Sequence, residues 1–446
     1  MKPAVTDTKN IRGIKLVLRS LRNRNYRLFF MGQGTSLVGT WMQQTAMSWL
    51  VYRLTNSAFF LGVVGFTSQL PTFLIAPFAG VIADKWSRHK MLLATQSLLM
   101  IQALILAILV MTGHIAVWHI IVLSIFLGAV NAFDMPTRQA FVYELVDKEE
   151  DLPNAITLNS MNFNAARLAG PFAAGILIDA VGEGSCFLIN AVSFVAVLMA
   201  LMAIKIAPQK IASKHNGAVL SGLKDGVTYA FGFAPIRIIL TLLAFISLVG
   251  APYAVLAPVF ARDVLHGGPK TLGFLMGAVA VGAMVGAIFL ALQKTARGLG
   301  EIIVMAISVL GVSVIVFSFS ETMWFSMLMI SLAGFGMIVQ MASINTILQT
   351  IVDNDKRGRI MSLYVMAFIG VTSLGCLLAG IVAAKLGAPR ALQISGLLCL
   401  LAAAVFYRKL PMLKEMIRPI YVKKGIIPQV AAGIDVVTQL TMPTKE

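Results

Sequence analysis

The chain alternates from end to end between long apolar runs and short polar gaps. Run length and breaker residues together predict helices at 26–52, 57–83, 91–112, 116–140, 154–180 and 185–207. A polar stretch from Pro208 to Pro235 follows, then six further helices at 236–264, 271–293, 300–319, 323–350, 358–385 and 390–408. Each run approaches or exceeds the ~20 residues a helix needs to cross a hydrocarbon core ~30 Å thick. The pattern predicts an all-α integral membrane protein with twelve transmembrane helices in two six-helix bundles. It divides the chain into an N-terminal segment 1–25, a first bundle 26–207, a linker 208–235, a second bundle 236–409 and a tail 410–446.

Composition agrees with this division. Of 446 residues 58% are hydrophobic and 12% charged, with a mean hydropathy of +0.85. A soluble domain carries about 25% charged residues. The first apolar run follows a basic stretch and has no small-residue cleavage site after a short core, so a removable leader is not expected. Cys186, Cys376 and Cys399 lie in apolar runs at unrelated spacings, which gives neither a disulfide framework nor a metal pattern.

Charge gives the orientation. Counting Lys and Arg by side puts 30 on the side of the N-terminus and 5 on the other, with Arg167 alone inside a span. The positive-inside bias places both termini and the linker in the cytoplasm. The net charge of +17 is thereby accounted for at cytoplasmic helix ends, where anionic lipid attracts each base by roughly 1 kcal/mol, and no nucleic-acid partner is implied. Basic and apolar residues alternate at helical spacing in "IRGIKLVLRSLRNRNYRLFF", which fits an amphipathic segment lying on that face.

The two sets of six share fragments in register. Ser36–Gly39 recurs as Ser247–Gly250, and Leu61-Gly62 as Leu272-Gly273, both at an offset of 211. Leu158, Gly170 and Gly175 recur as Leu363, Gly375 and Gly380 at an offset of 205. Parallel repeats of this kind describe a transporter that holds its substrate between the halves and rocks one against the other.

"GVIADKWSRHK" at 80–90 resembles the major facilitator superfamily signature between the second and third helices, matched at Gly80, Asp84, Lys85 and Arg88. Ser87 stands where that pattern has glycine, and His89 displaces the following base to Lys90. "ARLAGPFAAG" is similar to the Gly-Pro motif on the fifth helix of proton-coupled exporters in that superfamily, here Gly170, Pro171 and Gly175. "NAFDMPTRQAFVYELV" and "ITLNSMNFNAARLAGP" resemble the bacterial branch that includes enterobactin and multidrug exporters. The resemblance implies the major facilitator fold, a monomer, no cofactor, and Asp84 as a latch docking on the start of the eleventh helix near Arg357 and Gly358. At the offset of 211 Asp84 maps to Thr295, so the second half has no such acid.

An ionisable residue inside a span is costly unless paired, and is a functional candidate for that reason. Asp134 and Arg138 stand four apart around Pro136, either as a self-neutralised pair or as gate partners of Asp84 and Arg88. Asp134 is also the best proton site the sequence offers, since no carboxylate lies at the middle of the first span. Arg167 falls about 13 residues into its span, ~20 Å deep, and stays charged at any relevant pH. It needs a wet cavity, an acidic partner or an anionic cargo. Gln33, Ser36, Thr40, Gln43 and Gln44 recur at helical steps on the first span, with Trp41 beside them. Asn162 on the fifth span and Gln340 and Asn345 on the tenth complete the candidate cavity, interhelical packing being the alternative use of these side chains. Gly273, Gly277, Gly282 and Gly286 on the eighth span imply close helix contact.

No Gly-rich loop followed by Lys and Ser/Thr points to nucleotide hydrolysis. His114 and His119, five apart, do not make a helical metal pair, and an enzyme is not expected. The reading is a secondary active transporter exporting a small organic or amphipathic molecule, siderophore- or drug-like, by alternating access coupled to protons. A lipid or lysophospholipid transporter, or an importer of the same fold, is the alternative.

Overall fold

A computed structural model describes residues 18–83, 86–146, 148–205, 219–293 and 298–424. Six helices form the first half: α1 (Arg24–Thr55), α2 (Ala58–Ala83), α3 (Arg88–Met111), α4 (Val117–Glu144), α5 (Leu152–Val181) and α6 (Glu183–Ala203). A linker helix, α7 (Val219–Gly232), precedes α8 (Ala234–Val249), α9 (Pro269–Ala291), α10 (Leu299–Ser318) and α11 (Met323–Ile351). The eleventh predicted run is divided into α12 (Arg357–Val365) and α13 (Val371–Leu386), and α14 (Ala388–Lys423) closes the second half. Below, the face where α1 begins and α14 ends is the tail face, and the opposite one the far face.

All twelve predicted runs are helical, with three departures. The seventh run is broken: after α8 the chain passes through a 3-10 turn at Ala251–Ala254, a helical turn at Ala257–Val259 and a π-turn at Phe260–Val264. Gly250 and Pro252 fall at the break, and proline has no amide hydrogen to continue a helix. A π-turn at Met366–Gly370 separates α12 from α13, bringing Gly370 against the Phe73 ring of α2. The last helix does not stop near 408 but runs on to Lys423, across the expected boundary at 409. Its 36 residues span ~54 Å, well beyond the bilayer core. Leu410, Leu413, Ile417 and Tyr421 hold that extension by burying one stripe against the second half.

Among the described residues nine helices are long and apolar enough to cross a membrane, and the pair α7–α8, bent by 106°, makes a tenth. The helices outside that set, α1 and α5, are long enough but carry the polar residues singled out above.

Helix packing repeats between the halves. In the first, α1 packs on α5 and α6, α2 and α3 on α4, and α3 on α6. In the second, α8 packs on α13 and α14, α9 and α10 on α11, and α10 on α14. The same pairings recur in the same order, which is what an internal duplication requires. Two seams join the halves, α2 on α13 and α5 on α9.

Each seam is made by a pair of facing glycines. A Cβ at Gly380 would lie 2.8 Å from the Gly62 Cα, and one at Gly273 would lie 2.8 Å from the Gly175 Cα. At the repeat offsets Gly62 corresponds to Gly273 and Gly175 to Gly380, so two of the duplicated positions make the seam contacts. Along α9, Gly273 and Gly277 face α5, at Gly175 and the Phe172 ring, while Gly282 and Gly286 face α11, at the Ser331 and Phe335 carbonyls. Small residues allow this approach where lipid supplies no hydrophobic drive.

Candidate functional site

The seam glycines lie toward the far-face ends of their helices, and polar contacts between the halves cluster at that face. Lys270 Nζ is 2.7 Å from Asp179 Oδ2, and Arg262 Nη1 donates to Asn56 Oδ1 at 2.6 Å. The Tyr52 hydroxyl donates to the Asp263 carboxylate. Tyr52 and Asp263 are themselves separated by the repeat offset of 211, so the ends of equivalent helices meet there. The α2–α13 seam has no counterpart of the Asp179–Lys270 pair, since the offsets lead to Ala384 and Phe59. On the tail face the second half instead holds α7, through Arg359 to Asp225 at 3.3 Å and Tyr229 to Asp353 at 3.1 Å.

Of the signature between α2 and α3, Asp84 and Lys85 lie outside the described residues, so the latch itself is not described. Gly80 lies on α2, near its tail end. Around Gly358, at the start of α12 where the latch is expected to reach, no atom of the described residues would lie within 4 Å of an added Cβ. Arg88 turns into its own half and donates to Glu144 Oε1 at 2.8 Å. His89 bonds the Leu201 carbonyl at 2.8 Å and stacks on Phe141, which ties α3 to α6. Asp134 is fully buried and accepts from Thr95 Oγ1 at 2.8 Å and Gln96 Nε2 at 2.7 Å, with Arg138 Nε 3.7 Å away. Among the described residues Arg88 pairs with Glu144 and Arg138 with Asp134.

The polar stripe on α1 divides. Gln33, Ser36 and Gln43 are buried, while Thr40 and Gln44 are exposed. Gln43 is committed within the first half: it accepts from Asn190 Nδ2 at 2.8 Å and donates to Gln102 Oε1 at 2.9 Å. Asn162 donates to the Phe30 carbonyl at 3.1 Å and packs against Gly34, serving the α1–α5 contact. Gln340 is fully buried in the second half, and its Oε1 has no hydrogen-bond partner among the described residues. Asn345 accepts from Gln349 on the neighbouring turn and reaches Tyr364.

Arg167, by contrast, is the centre of a cluster. It stands at the middle of α5, with its guanidinium 5.8 Å from the centroid of the Trp41 ring at the middle of α1. Trp41 meets Phe163 edge-on, with centroids 5.7 Å apart at 71°. Gly170 permits this: a Cβ there would be 2.4 Å from Trp41 Cβ. Pro171 and Gly175 continue the same helix, which is unbroken through the proline. From the second half Tyr253, on the turn after α8, is buried near Arg167. Among the described residues no carboxylate lies within salt-bridge distance of Arg167. Sequence reading missed Tyr253, Glu144 and the Gln102–Asn190 bridge; only the register of the repeat could have signalled Tyr52 with Asp263.

These features have counterparts in known proteins. The Staphyloferrin A transporter of Staphylococcus aureus is 26% identical over 386 residues, 85% of this chain and 95% of that protein. The multidrug efflux pump Tap of Mycolicibacterium fortuitum is 24% identical over 359 residues, 78% of this chain and 86% of that one. Among solved structures, a peptide transporter named POT superposes with a TM-score of 0.70 at 12% identity, covering 88% of this chain and 95% of its own. Residues 17–424 match the family described as transmembrane secretion effector. The chain belongs to that family, an efflux-like branch of the major facilitator superfamily of membrane transporters.

Proposed function

We propose that this transporter is a secondary active exporter that moves a small organic or amphipathic molecule, siderophore- or drug-like, out of a bacterial cytoplasm by alternating access. The observation that carries the reading is a mid-membrane cluster of Arg167, Trp41 and Phe163, with Tyr253 of the other half near it, between two halves that close against each other at the far face. A cationic and aromatic site at this depth suits an amphipathic cargo. The excess of basic residues on the tail side favours that side as cytoplasmic, and the far face as the outer one. The relatives named for a siderophore and for multidrug efflux support the cargo class and the outward direction.

Proton entry is the proposed driving step, with Asp134 as its site. Its carboxylate is buried, and Thr95 and Gln96 donate to it. Protonation would release these donors and the contact to Arg138, and so loosen α3 from α4. Asp134→Asn in proteoliposomes should abolish export driven by a proton gradient while leaving cargo binding intact; full gradient-driven export by that variant removes Asp134 from the role.

The function as a whole is tested by deleting the gene and comparing secreted with retained metabolites, siderophores included. Intracellular accumulation of a small molecule, reversed by complementation, is the expected result. Unchanged metabolites with an altered lipid composition would instead assign the chain to lipid transport.

A further inference from the structure

Arg167 is a permanent cation at mid-depth, and its depth makes the lack of an acid partner informative. A half-buried guanidinium at this depth is retained where something anionic or polar meets it, because taking it out of water otherwise costs several kcal/mol. The described acids do not serve. Asp134, the one described acid away from a helix end in a membrane-crossing segment, is engaged by Thr95, Gln96 and Arg138. Glu144, Asp179, Glu183 and Asp263 lie at helix ends, each with a partner of its own. The Trp41 face shields one side of the guanidinium but supplies no countercharge.

We propose that the cargo itself carries the missing acid: an organic anion whose carboxylate or other acidic group pairs with Arg167, while its planar body lies against Trp41 and Phe163 and its acid is approached by Tyr253 from the other half. The inference rests on the transport reading above and narrows it to a substrate class. The chemistry is that of a charge-assisted pair, which arginine makes with two parallel N–H donors to one carboxylate. Tyr253 adds a consequence for coupling. A group bound to Arg167 alone leaves the halves independent, whereas one that also meets Tyr253 links α5 to the broken seventh helix. Occupancy is thereby sensed by both halves at once.

The test uses the full chain in nanodiscs, with tritiated 2-naphthoate as the probe and its neutral isostere 2-naphthamide as competitor, empty discs giving the lipid background. Saturable naphthoate binding is expected, with naphthamide competing roughly tenfold or more weakly. Arg167→Gln should abolish the preference for the acid, Arg167→Lys should retain it in part, and Tyr253→Phe should weaken naphthoate binding about threefold to tenfold. Equal affinity for acid and amide in the unaltered protein overturns the proposal, and that comparison needs no variant to fold. So does naphthoate affinity unchanged in a folded Arg167→Gln protein. Raising the phosphatidylglycerol content of the discs separates two sources of the anion: displacement of naphthoate in proportion keeps the acid site and assigns its occupant to a lipid headgroup. The outcome is separable from the function itself. A deletion strain that retains a neutral compound, beside a protein with no acid preference, defeats the acid site and leaves export standing. Acid binding without any metabolite phenotype does the reverse.

Discussion

Replacing Gly380 by alanine puts a methyl group 2.8 Å from the Gly62 Cα and 2.9 Å from the Ala58 carbonyl oxygen. Both neighbours are backbone, so no side chain can rotate away, and ordinary carbon contacts need about 3.5–4.0 Å. α2 and α13 must therefore separate by roughly 1 Å at the far face, and overpacking of this kind costs about 1–3 kcal/mol. The strain falls on the state in which the far face is closed, and is relieved when it opens. At 1.4 kcal/mol per factor of ten, the far-open population should rise about fivefold to 150-fold wherever it starts rare. A native reporter sits in the same seam. Cys376 is only 2% exposed, its carbonyl would be 2.7 Å from a Cβ at Gly62, and its thiol lies beside Gln69. In a background with Cys186 and Cys399 changed to alanine, the rate of Cys376 alkylation by N-ethylmaleimide in proteoliposomes measures opening directly. Gly380→Ala should raise it by the factor above. Gly175→Ala, in the other seam, should raise it too, because halves that rock as bodies open both seams together. An unchanged rate in a Gly380→Ala protein with the original melting temperature would refute the reasoning.

The remaining expectations divide the contributions of other contacts. Lys270→Met removes an ion pair whose side chains are 53% and 39% exposed. Such a pair contributes about 0–1 kcal/mol, so Cys376 labelling should rise less than about fivefold, and a larger effect would make the ion pair rather than the glycines the lock. Asn190→Ala leaves the buried Gln43 Oε1 without its donor, so thermal denaturation should show a loss of about 1–3 kcal/mol, and an unchanged melting temperature would contradict the α1–α3–α6 bridge. Glu144→Gln removes the charge that holds Arg88 in a partly buried pair and should cost about 1–3 kcal/mol in the same assay, an unchanged melting temperature contradicting the pair.

The helices were legible because a bilayer imposes one requirement, an apolar run of about 20 residues, on every crossing segment. Where that requirement ends, so did legibility. The extension of α14 reads as a charged tail because Arg408, Lys409 and Lys414 mask the stripe of Leu410, Leu413 and Ile417. The seam was legible without being recognised: among the positions that betrayed the duplication are the four glycines on which the halves close, Gly62, Gly175, Gly273 and Gly380. Side-chain direction was not. Gln43 and Gln33 share the stripe on α1 with Thr40 and Gln44, yet local spacing does not tell which face meets α3 and α6 and which faces outward. Arg167 stood out because a lone charge in an apolar run is costly wherever it points. Tyr253 did not, because it lies in the other half, distant in sequence. The pairing of Arg88 turns on Glu144, whose place at the end of α4 gives no hint that it outcompetes Asp134.

Alternating access about the two seams is the central claim, and double electron–electron resonance tests it most directly. One spin-label pair at Ser57 and Lys385 spans the far face, and another at Thr157 and Gln349 spans the tail face, each in a cysteine-free background in nanodiscs. When the pH is stepped from 7.5 to 5.5, the account predicts that the far-face distance lengthens as the tail-face distance shortens. Distances that lengthen together, or do not respond at all, would contradict it.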